Sequence, residues 1–548
     1  MVKRIINHKA KTIFSAAFIL GAAALASRIL GLVRDRLLAG RFGAGDELDI
    51  YFAAFRLPDL IYAILIMGAI SSAFIPVFAR YFKEKREDAW RLVDSLFNLA
   101  FIVLSGLIVL FIFLAPLLVS IIAPGFSGEK KEMTILLTRI MFLSPLLLGL
   151  SGIFGGVLQY FHRFFIHSLA PIMYNLGIIV GILFFVPAVG LIGLAWGVVL
   201  GSGLHLLIQL PGVICSGFSF KKRFSIWHKG IKRIIKLMIP RTVGLAGFQI
   251  NFLVITAIAS TLAAGSIAVF NLSYSLQYVP IGVIGISFAT AAFPRLASSF
   301  ANKDRKNFSL SFTSAFNQII YLIIPLSVAF FFLRAQIVRI ILGTGEFGWT
   351  DTRLTAAALG IFSFGVFAHG LVPLFSRAFY SAHNTKTPVF ISLWSMLVNI
   401  LGSLGFVWLL KNSSSFSSFV SDVLKLEGVN NFAVLGLPLA FVFGGIFNLI
   451  FIIYSFRRKI GLWDFERIRD MIFKVLACSG FMGFSIFVLL RLGDLFINTH
   501  VFWGILLQSV MAGVGGVLVY LFFSLIFKVP ELRILMNKVF KKRINEKN

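Results

Sequence analysis

Five charged side chains interrupt the apolar N-terminal part of the sequence within about thirty residues: Arg28, Arg34, Asp35, Asp49 and Arg56. A charged side chain inside a bilayer is costly, at least about 2.5 kcal/mol for arginine on insertion scales, so it should face a protein interior or a water-filled cavity. Arginine keeps its charge and can contact a phosphate at two points. The group therefore predicts an anion-binding site within a membrane domain.

A structural interpretation of the same charges stays open. Arg34 and Asp35 are adjacent and can simply pair with each other near the membrane surface. Each of the other two arginines can pair with a nearby aspartate, either Asp49 or Asp59. In that case the charges hold helices together and bind no ligand.

Polar residues also occur in later apolar segments. The segment MIPRTVGLAGFQINFLV carries Arg241, Gln249 and Asn251, and another amide, Asn399, lies in a further apolar segment. Arg241 is a second candidate contact for an anion. The amides fit two roles, a polar site for substrate or ion, or hydrogen bonds between helices.

The composition excludes a soluble domain. Of 548 residues, 58 % are hydrophobic and 13 % are charged, and the mean hydropathy is +0.93. Apolar runs of about 20 residues, the length that crosses a bilayer, recur along the whole chain. The first is interpreted as a retained helix, because it lacks a small-residue cleavage site and continues into a second span. We predict an all-α polytopic membrane protein whose helices satisfy their own backbone hydrogen bonds.

The net charge of +29 lies mainly in loops, which argues against a nucleic-acid-binding protein. Basic clusters such as 80–91, 221–236 and 457–470 follow even-numbered spans, whereas the intervening loops are weakly or oppositely charged. This bias places both termini in the cytoplasm. We expect anionic lipid headgroups, and no nucleic acid, as partners of the basic loops.

About fourteen spans are predicted. Their approximate cores are residues 12–34, 48–79, 93–122, 135–160, 167–187, 190–214, 234–262, 267–298, 311–342, 354–381, 388–410, 432–456, 472–491 and 502–527. No Walker A sequence, HExxH, GxSxG or paired His/Cys spacing occurs in the sequence. We therefore predict no enzyme, no metal site and no bound cofactor.

The chain contains an internal repeat. SSAFIPVFARYF at 71–82 matches ATAAFPRLASSF at 289–300, an offset of 218 residues and six predicted spans. An even number of spans gives both halves the same orientation, as in transporters with parallel repeats. We predict two six-helix lobes and two further helices. The divisions are 1–220 and 221–456 for the lobes, 457–527 for spans 13 and 14, and 528–548 for a basic cytoplasmic tail.

Several segments of the sequence resemble those of a known protein family. SRILGLVRD, FGAGDELDIYFAAFRLPDL and SSAFIPVF, together with LAPIMYNLGII at 169–179 and SRAFYSAHNTKTPVF at 376–390, closely resemble the MurJ (MviN-type) lipid II flippases of the multidrug/oligosaccharidyl-lipid/polysaccharide exporter superfamily. The resemblance covers nearly the whole chain. It implies two six-helix lobes in a V around a cationic cavity, with spans 13 and 14 completing a groove for the lipid tail.

The resemblance also implies site residues. The essential charged positions of the family in spans 1 and 2 match here as Arg28, Arg34, Asp35 and Asp49, and the basic position in AFRLP matches as Arg56. All five are expected to contact the substrate.

The sequence departs from the family at several positions. Tyr62 and Ser275 stand where the family usually has arginines, and we expect Arg241 to supply part of the missing charge. The sodium site of the family uses carboxylates in the C-terminal lobe, where this chain offers amides such as Asn251 and Asn399. The coupling ion, whether sodium, proton or the membrane potential alone, stays open.

The expected function is translocation of lipid II, an undecaprenyl-pyrophosphate-linked peptidoglycan precursor, from the inner to the outer leaflet of the bacterial inner membrane. The expected mechanism is alternating access by a monomer. Two alternatives remain: an exporter of another lipid-linked oligosaccharide, and a non-transporting membrane scaffold for cell-wall enzymes. A scaffold has no need of a cation at the depth of Arg28.

Overall fold

The computed structural model describes residues 13–64, 73–219, 226–461, 463–499 and 501–532. Every regular element within these ranges is helical, which confirms the all-α polytopic prediction. The chain divides into two compact units, Met1–Ala268 and Val269–Asn548. Long apolar segments form helices because the lipid offers no hydrogen-bond partners to the backbone.

The first unit begins with the helices that carry the charged residues. Its helices are α1 Ile13–Phe42, α2 Asp46–Tyr62, α3 Ile75–Glu84, α4 Arg86–Ile122, α5 Gly128–Met141, α6 Leu143–Tyr160, α7 Phe164–Val180, α8 Val186–Val189, α9 Ile192–Leu207, α10 Leu210–Ile214 and α11 Lys229–Ser260. A π-helical turn at Gly181–Phe185 joins α7 to α8.

The second unit continues from α12, which begins at the division. Its helices are α12 Ser266–Pro280, α13 Ser287–Ala301, α14 Arg305–Phe332, α15 Arg334–Ile341, α16 Trp349–Ser363, α17 Val366–Ser381, α18 Lys386–Asn412, α19 Ser414–Leu424, α20 Gly436–Lys459, α21 Phe465–Phe496 and α22 Phe502–Ile526. A π-helical segment at Ile281–Ile286 joins α12 to α13, and a 3-10 turn at Phe432–Leu435 precedes α20.

Ten helical segments of the described residues are long and apolar enough to cross a membrane, and the bent pair α16–α17 makes eleven. The three other predicted spans are those of α1, α2 and α11. Each of these predicted spans includes residues or side chains outside the description: 12–18 in the first, 65–72 in the second, and 239–246 and 248 in α11. The total of fourteen spans therefore stays a prediction.

Helix α11 belongs to the first unit, where it packs against α2 and α4. The sequence repeat places the corresponding span in the second lobe. That division concerns sequence symmetry and stays a prediction. Helices α21 and α22 pack against each other, and α21 also packs against α14 within the second unit.

Aromatic side chains form much of each core. In the first unit Phe78 lies 5.2 Å from Phe74 and 5.0 Å from Tyr160 between ring centroids. In the second unit Phe312 stacks on Phe456 at 4.6 Å. Such ring pairs add about 0.5–1.5 kcal/mol beyond the area that they bury.

Glycines allow α7 and α9 to approach closely. A Cβ atom on Gly177 would overlap the backbone of Gly201, and one on Gly181 would lie 2.5 Å from the Cα atom of Gly197. Small residues four positions apart let membrane helices touch backbone to backbone. This contact sets the position of α7, which carries the site residue Asn175.

We expect Gly201→Ala to destabilise the protein. Its Cβ atom would overlap the carbonyl oxygen of Tyr174, and overpacking of this kind costs about 1–3 kcal/mol. Thermal unfolding of the purified protein in detergent measures the loss. Gly203→Ala on the same helix is the matched control, because a Cβ atom there meets nothing within 4 Å. Equal melting temperatures for the two variants would contradict close packing of α7 on α9.

Candidate functional site

Arg34 is held by two neighbours in the first unit. Its Nε and Nη2 atoms donate to Asp35 Oδ1 at 3.1 and 2.9 Å, and its Nη1 atom donates to Asn175 Oδ1 at 3.2 Å. Asp35 is buried, whereas the Arg34 side chain keeps 25 % of its surface exposed. The pairing of Arg34 with Asp35 is confirmed. A guanidinium has five N–H groups, so these contacts leave capacity for a further acceptor.

Asn175 joins α7 to α1 at this point. Its Nδ2 atom donates to the hydroxyl of Ser27 at 3.3 Å and to the carbonyl oxygen of Pro171 at 3.1 Å. With its amide nitrogen held in this way, the Oδ1 atom faces Arg34. The amide therefore fixes the orientation of the guanidinium.

Arg56 contacts α11. Its Nε atom donates to Thr256 Oγ1 at 2.9 Å, and its guanidinium lies 5.1 Å from the ring centroid of Phe252. Thr256 and Phe252 are both buried. A hydroxyl acceptor and an aromatic face together hold the cation in place without neutralising it.

Asp59 connects the two arginines electrostatically. Its carboxylate interacts with both Arg56 and Arg34. The phenols of Tyr51 and Tyr174 interact with Arg34 and with Asp59. We call Arg34, Asp35, Arg56 and Asp59 the charged cluster. Of the four, Asp35 is buried and the other three are half-buried. The two cations and two anions have formal charges that cancel.

Asp49 has its partners outside this cluster. Its Oδ2 atom accepts from the backbone N–H of Gly265 at 2.8 Å, and its Oδ1 atom accepts from that of Ala268 at 2.9 Å. Lys130 lies 3.3 Å from Oδ2. The carboxylate thus satisfies N–H groups at the start of α12 that have no partner within the helix.

Gly265 permits this arrangement. Its φ is +83°, in the left-handed region, and a Cβ atom would overlap the carbonyl oxygen of Ala44. The expectation that Asp49 contacts substrate stays a prediction, and its observed partners give it a structural role in the resting protein.

The structure describes the surroundings of Arg28 and Arg241 in less detail. Arg28 lies half-buried on α1 between the exposed side chains of Leu25 and Ile29, and its convergence with the charged cluster stays a prediction. Arg241 falls within α11, but its side chain lies outside the described residues.

The amides singled out in the sequence occupy separate environments. Gln249 is half-buried and Asn251 is buried, both on α11 in the first unit. Asn399 is buried in the second unit, where its Oδ1 atom accepts from Ser403 at 3.3 Å. The bond between Ser403 and Asn399 joins two residues of the same helix, α18.

At the two positions that lack a family arginine the structure places half-buried side chains, Tyr62 and Ser275. Tyr62 interacts electrostatically with Asp59 and with Tyr174. A phenol at this point extends the polar surroundings of the charged cluster without adding charge.

The sequence analysis missed Thr256, Phe252 and Asn175. Asn175 had a detectable signal, a lone amide within the apolar run LAPIMYNLGII. Thr256 and Phe252 had none, because a threonine and a phenylalanine are ordinary in a membrane helix. Among the described residues no three His, Cys, Asp or Glu side chains converge to hold a metal ion.

Comparison with known proteins gives a consistent result. The model of the family described as lipid II flippase MurJ matches residues 38–506. A probable lipid II flippase MurJ from Rhizobium tropici is 31 % identical over 69 % of this chain and 73 % of its own. The corresponding protein of Buchnera aphidicola subsp. Schizaphis graminum is 30 % identical over 84 % and 93 %.

Solved structures agree with these relatives. A structure described as lipid II flippase MurJ in an inward closed conformation is 26 % identical, with a TM-score of 0.74 over 93 % of this chain and 98 % of that one. An inward-facing MATE family transporter of the MOP superfamily has a TM-score of 0.66 at 15 % identity, over 81 % and 98 %. The second likeness shows the fold alone.

Proposed function

The chain belongs to the lipid II flippase MurJ family, and on that premise we propose that it translocates lipid II from the inner to the outer leaflet of the bacterial inner membrane. The proposed mechanism is alternating access, with the protein acting as a monomer. The observation that supports the proposal within the chain is the charged cluster, in which Asp59 interacts electrostatically with both Arg34 and Arg56.

The proposed chemistry is an exchange of partners. In the protein without substrate, Arg34 pairs with Asp35, and the Asp59 carboxylate interacts electrostatically with both arginines. A pyrophosphate group entering the first unit competes with Asp35 and Asp59 for the guanidinium groups. Charge-assisted hydrogen bonds of this kind contribute about 1.5–3 kcal/mol each. The same competition favours release of the substrate, because the carboxylates of Asp35 and Asp59 can replace the pyrophosphate as partners of the guanidinium groups.

The test is rescue of a bacterium depleted of its own MurJ. We expect the wild-type chain to restore growth and the double variant Arg34→Ala/Arg56→Ala to fail at equal abundance in the membrane. Arg41→Ala is the matched control, since Arg41 is an exposed arginine on the same helix as Arg34. Failure of the abundant wild-type chain to rescue would favour an exporter of another lipid-linked oligosaccharide.

The chain is a multi-pass bacterial membrane protein. Its proposed orientation places both termini and the 221–236 segment in the cytoplasm, an arrangement that the distribution of Lys and Arg supports. The basic loops are proposed to contact anionic headgroups there.

Cysteine labelling tests this orientation. Cys215 is exposed, so the variants are made in a Cys215→Ser background. We expect Trp227→Cys to react with a membrane-impermeant maleimide only after the cells are permeabilised, because Trp227 is exposed within the basic segment 221–236. Glu346→Cys, in an exposed loop of the opposite predicted side, should react in intact cells. Labelling of Trp227→Cys in intact cells would reverse the orientation.

A further inference from the structure

Helix α19, Ser414–Leu424, is short and follows directly on the membrane-crossing helix α18. At about 3.6 residues per turn its large apolar side chains share one arc of about 140°, and its serines and its aspartate occupy the rest. The apolar side chains are Phe416, Phe419, Val420, Val423 and Leu424. A helix with this pattern buries its apolar arc and leaves the opposite side in water.

The protein covers only part of this arc. Val420 and Leu424 are buried, and Phe416 is half-buried. Phe419 and Val423, one turn apart, are 63 % and 50 % exposed. We call Phe419 and Val423 the exposed pair. The pair belongs to the apolar side of the helix, yet the described part of the chain leaves it uncovered.

Both ends of α19 are held in place within the second unit. At the start, Ser413 Oγ accepts a hydrogen bond from the backbone N–H of Phe416 at 3.4 Å, as a helix-capping residue does. Just after the helix, Arg353 of α16 donates to the carbonyl oxygen of Glu427 at 2.7 Å and to that of Lys425. The exposed pair is therefore presented by a fixed helix.

Aromatic contacts set the level of α19 along α18. The ring centroid of Phe416 lies 6.4 Å from that of Phe406 on α18, and Phe406 lies at the same distance from Phe443 on α20. Phe406 is less than one turn from Trp408, which is 62 % exposed. Exposed tryptophans of membrane helices concentrate at the boundary between headgroups and acyl chains. Phe416 lies near that boundary.

The exposed side of α18 indicates where the bilayer ends. Its large exposed side chains recur at helical spacing and form one stripe: Leu397, Leu401, Leu404 and Trp408. The stripe continues to the end of α18 from which α19 begins. An apolar side chain exposed at this end of α18 therefore meets the boundary of the bilayer.

The residues of α19 favour lipid over a protein partner. Two side chains offer far less area than the roughly 1,200–2,000 Å² that a specific protein interface buries. The sequence of α19 has one charged residue, Asp422, and neither Lys nor Arg. Attraction to anionic headgroups therefore contributes nothing here, and burial of apolar area is what remains to bind the helix to a membrane.

We propose that α19 is an interfacial anchor, in which the exposed pair inserts among the acyl chains next to the headgroups while the serine-rich side stays in water. Helix α18 corresponds to the eleventh predicted span, so the proposed orientation places this anchor in the outer leaflet. The inference goes beyond the proposed transport function, and the depth of the exposed pair depends neither on the orientation nor on the transported lipid.

Nitroxide labels on single cysteines of the full-length Cys215→Ser protein test the proposal in phosphatidylcholine nanodiscs. Phe419→Cys and Val423→Cys report on the exposed pair. Ser414→Cys and Ser418→Cys, also one turn apart and exposed, are the matched controls on the polar side. Electron paramagnetic resonance compares collisions with oxygen, which concentrates among acyl chains, and with a water-soluble nickel chelate. We expect the oxygen-to-nickel ratio to be several-fold higher at the exposed pair than at the controls.

Lipid composition separates apolar insertion from charge attraction. The same ratios should be found in nanodiscs that contain anionic phosphatidylglycerol, because α19 carries no cation. A ratio at the exposed pair that is high only in anionic nanodiscs would overturn apolar insertion as the cause.

Two other results would overturn the proposal. Similar ratios at all four positions would mean that α19 lies wholly in water or wholly among acyl chains. Protection of the exposed pair from both reagents would mean that protein, such as a second copy of the chain, covers it. Val423→Cys provides the same test if Phe419→Cys fails to fold. Because the measurement does not use transport, failure here is distinct from failure of growth rescue.

Discussion

Arg34→Ala is expected to lower lipid II transport about 10- to 100-fold, which corresponds to one charge-assisted contact of about 1.5–3 kcal/mol. The guanidinium is oriented by Asp35 and Asn175 and keeps part of its surface exposed. Arg34→Lys should recover transport only in part, because an ammonium cannot form the planar two-point contact. Translocation of fluorescent lipid II in proteoliposomes measures the effect.

A double variant separates substrate binding from structural pairing. Arg34→Ala alone leaves the buried carboxylate of Asp35 without its cation, which itself destabilises the protein. Arg34→Ala/Asp35→Ala removes both charges and should recover thermal stability but not transport. Recovery of transport as well would mean that Arg34 serves only as the partner of Asp35. Arg41→Ala again serves as the control on the same helix.

Asp49→Ala is expected to destabilise the protein by about 3–5 kcal/mol, the usual cost of removing one partner of a buried ionic network. The change leaves the N–H groups of Gly265 and Ala268 without their acceptor and removes one partner of Lys130. Asp49→Asn keeps an acceptor oxygen and should be intermediate. Melting temperatures in detergent should decrease in the order wild type, Asp49→Asn, Asp49→Ala.

Asp46 provides a matched control for this prediction. It also pairs with Lys130, but its side chain is 58 % exposed. An exposed pair contributes about 0–1 kcal/mol, so Asp46→Ala should change stability little. A variant Asp49→Ala with normal stability and no transport would contradict the structural role and favour direct contact with substrate.

Much of the fold was accessible from the sequence because membrane helices depend on local properties. Hydropathy over about 20 residues determines whether a segment can cross the bilayer, and Lys and Arg near its ends bias the orientation. The apolar runs of α4, α7, α20 and α22 follow from this rule alone. The pairing of Arg34 with Asp35 could also be predicted from the sequence, because the two residues are adjacent.

The partners of the charged side chains were less accessible than the spans that carry them. Helices α1 and α2 hold the arginines of the site within apolar runs. The cost of a charge within a bilayer predicts that these side chains face protein or water, but it does not identify the partner of each one.

The sequence by itself determined the helical membrane class, the family and the types of residue available for an anion site. Only the tertiary structure decided the partners: Arg56 with Thr256 across 200 residues, Arg34 with Asn175 across 141, and Asp49 with Gly265 across 216. A side chain's role depends on which atoms surround it, and such contacts between distant helices leave no periodic pattern in the sequence. A charged side chain can thus bind a substrate or stabilise the end of a helix, and its surroundings in the tertiary structure determine which of the two it does.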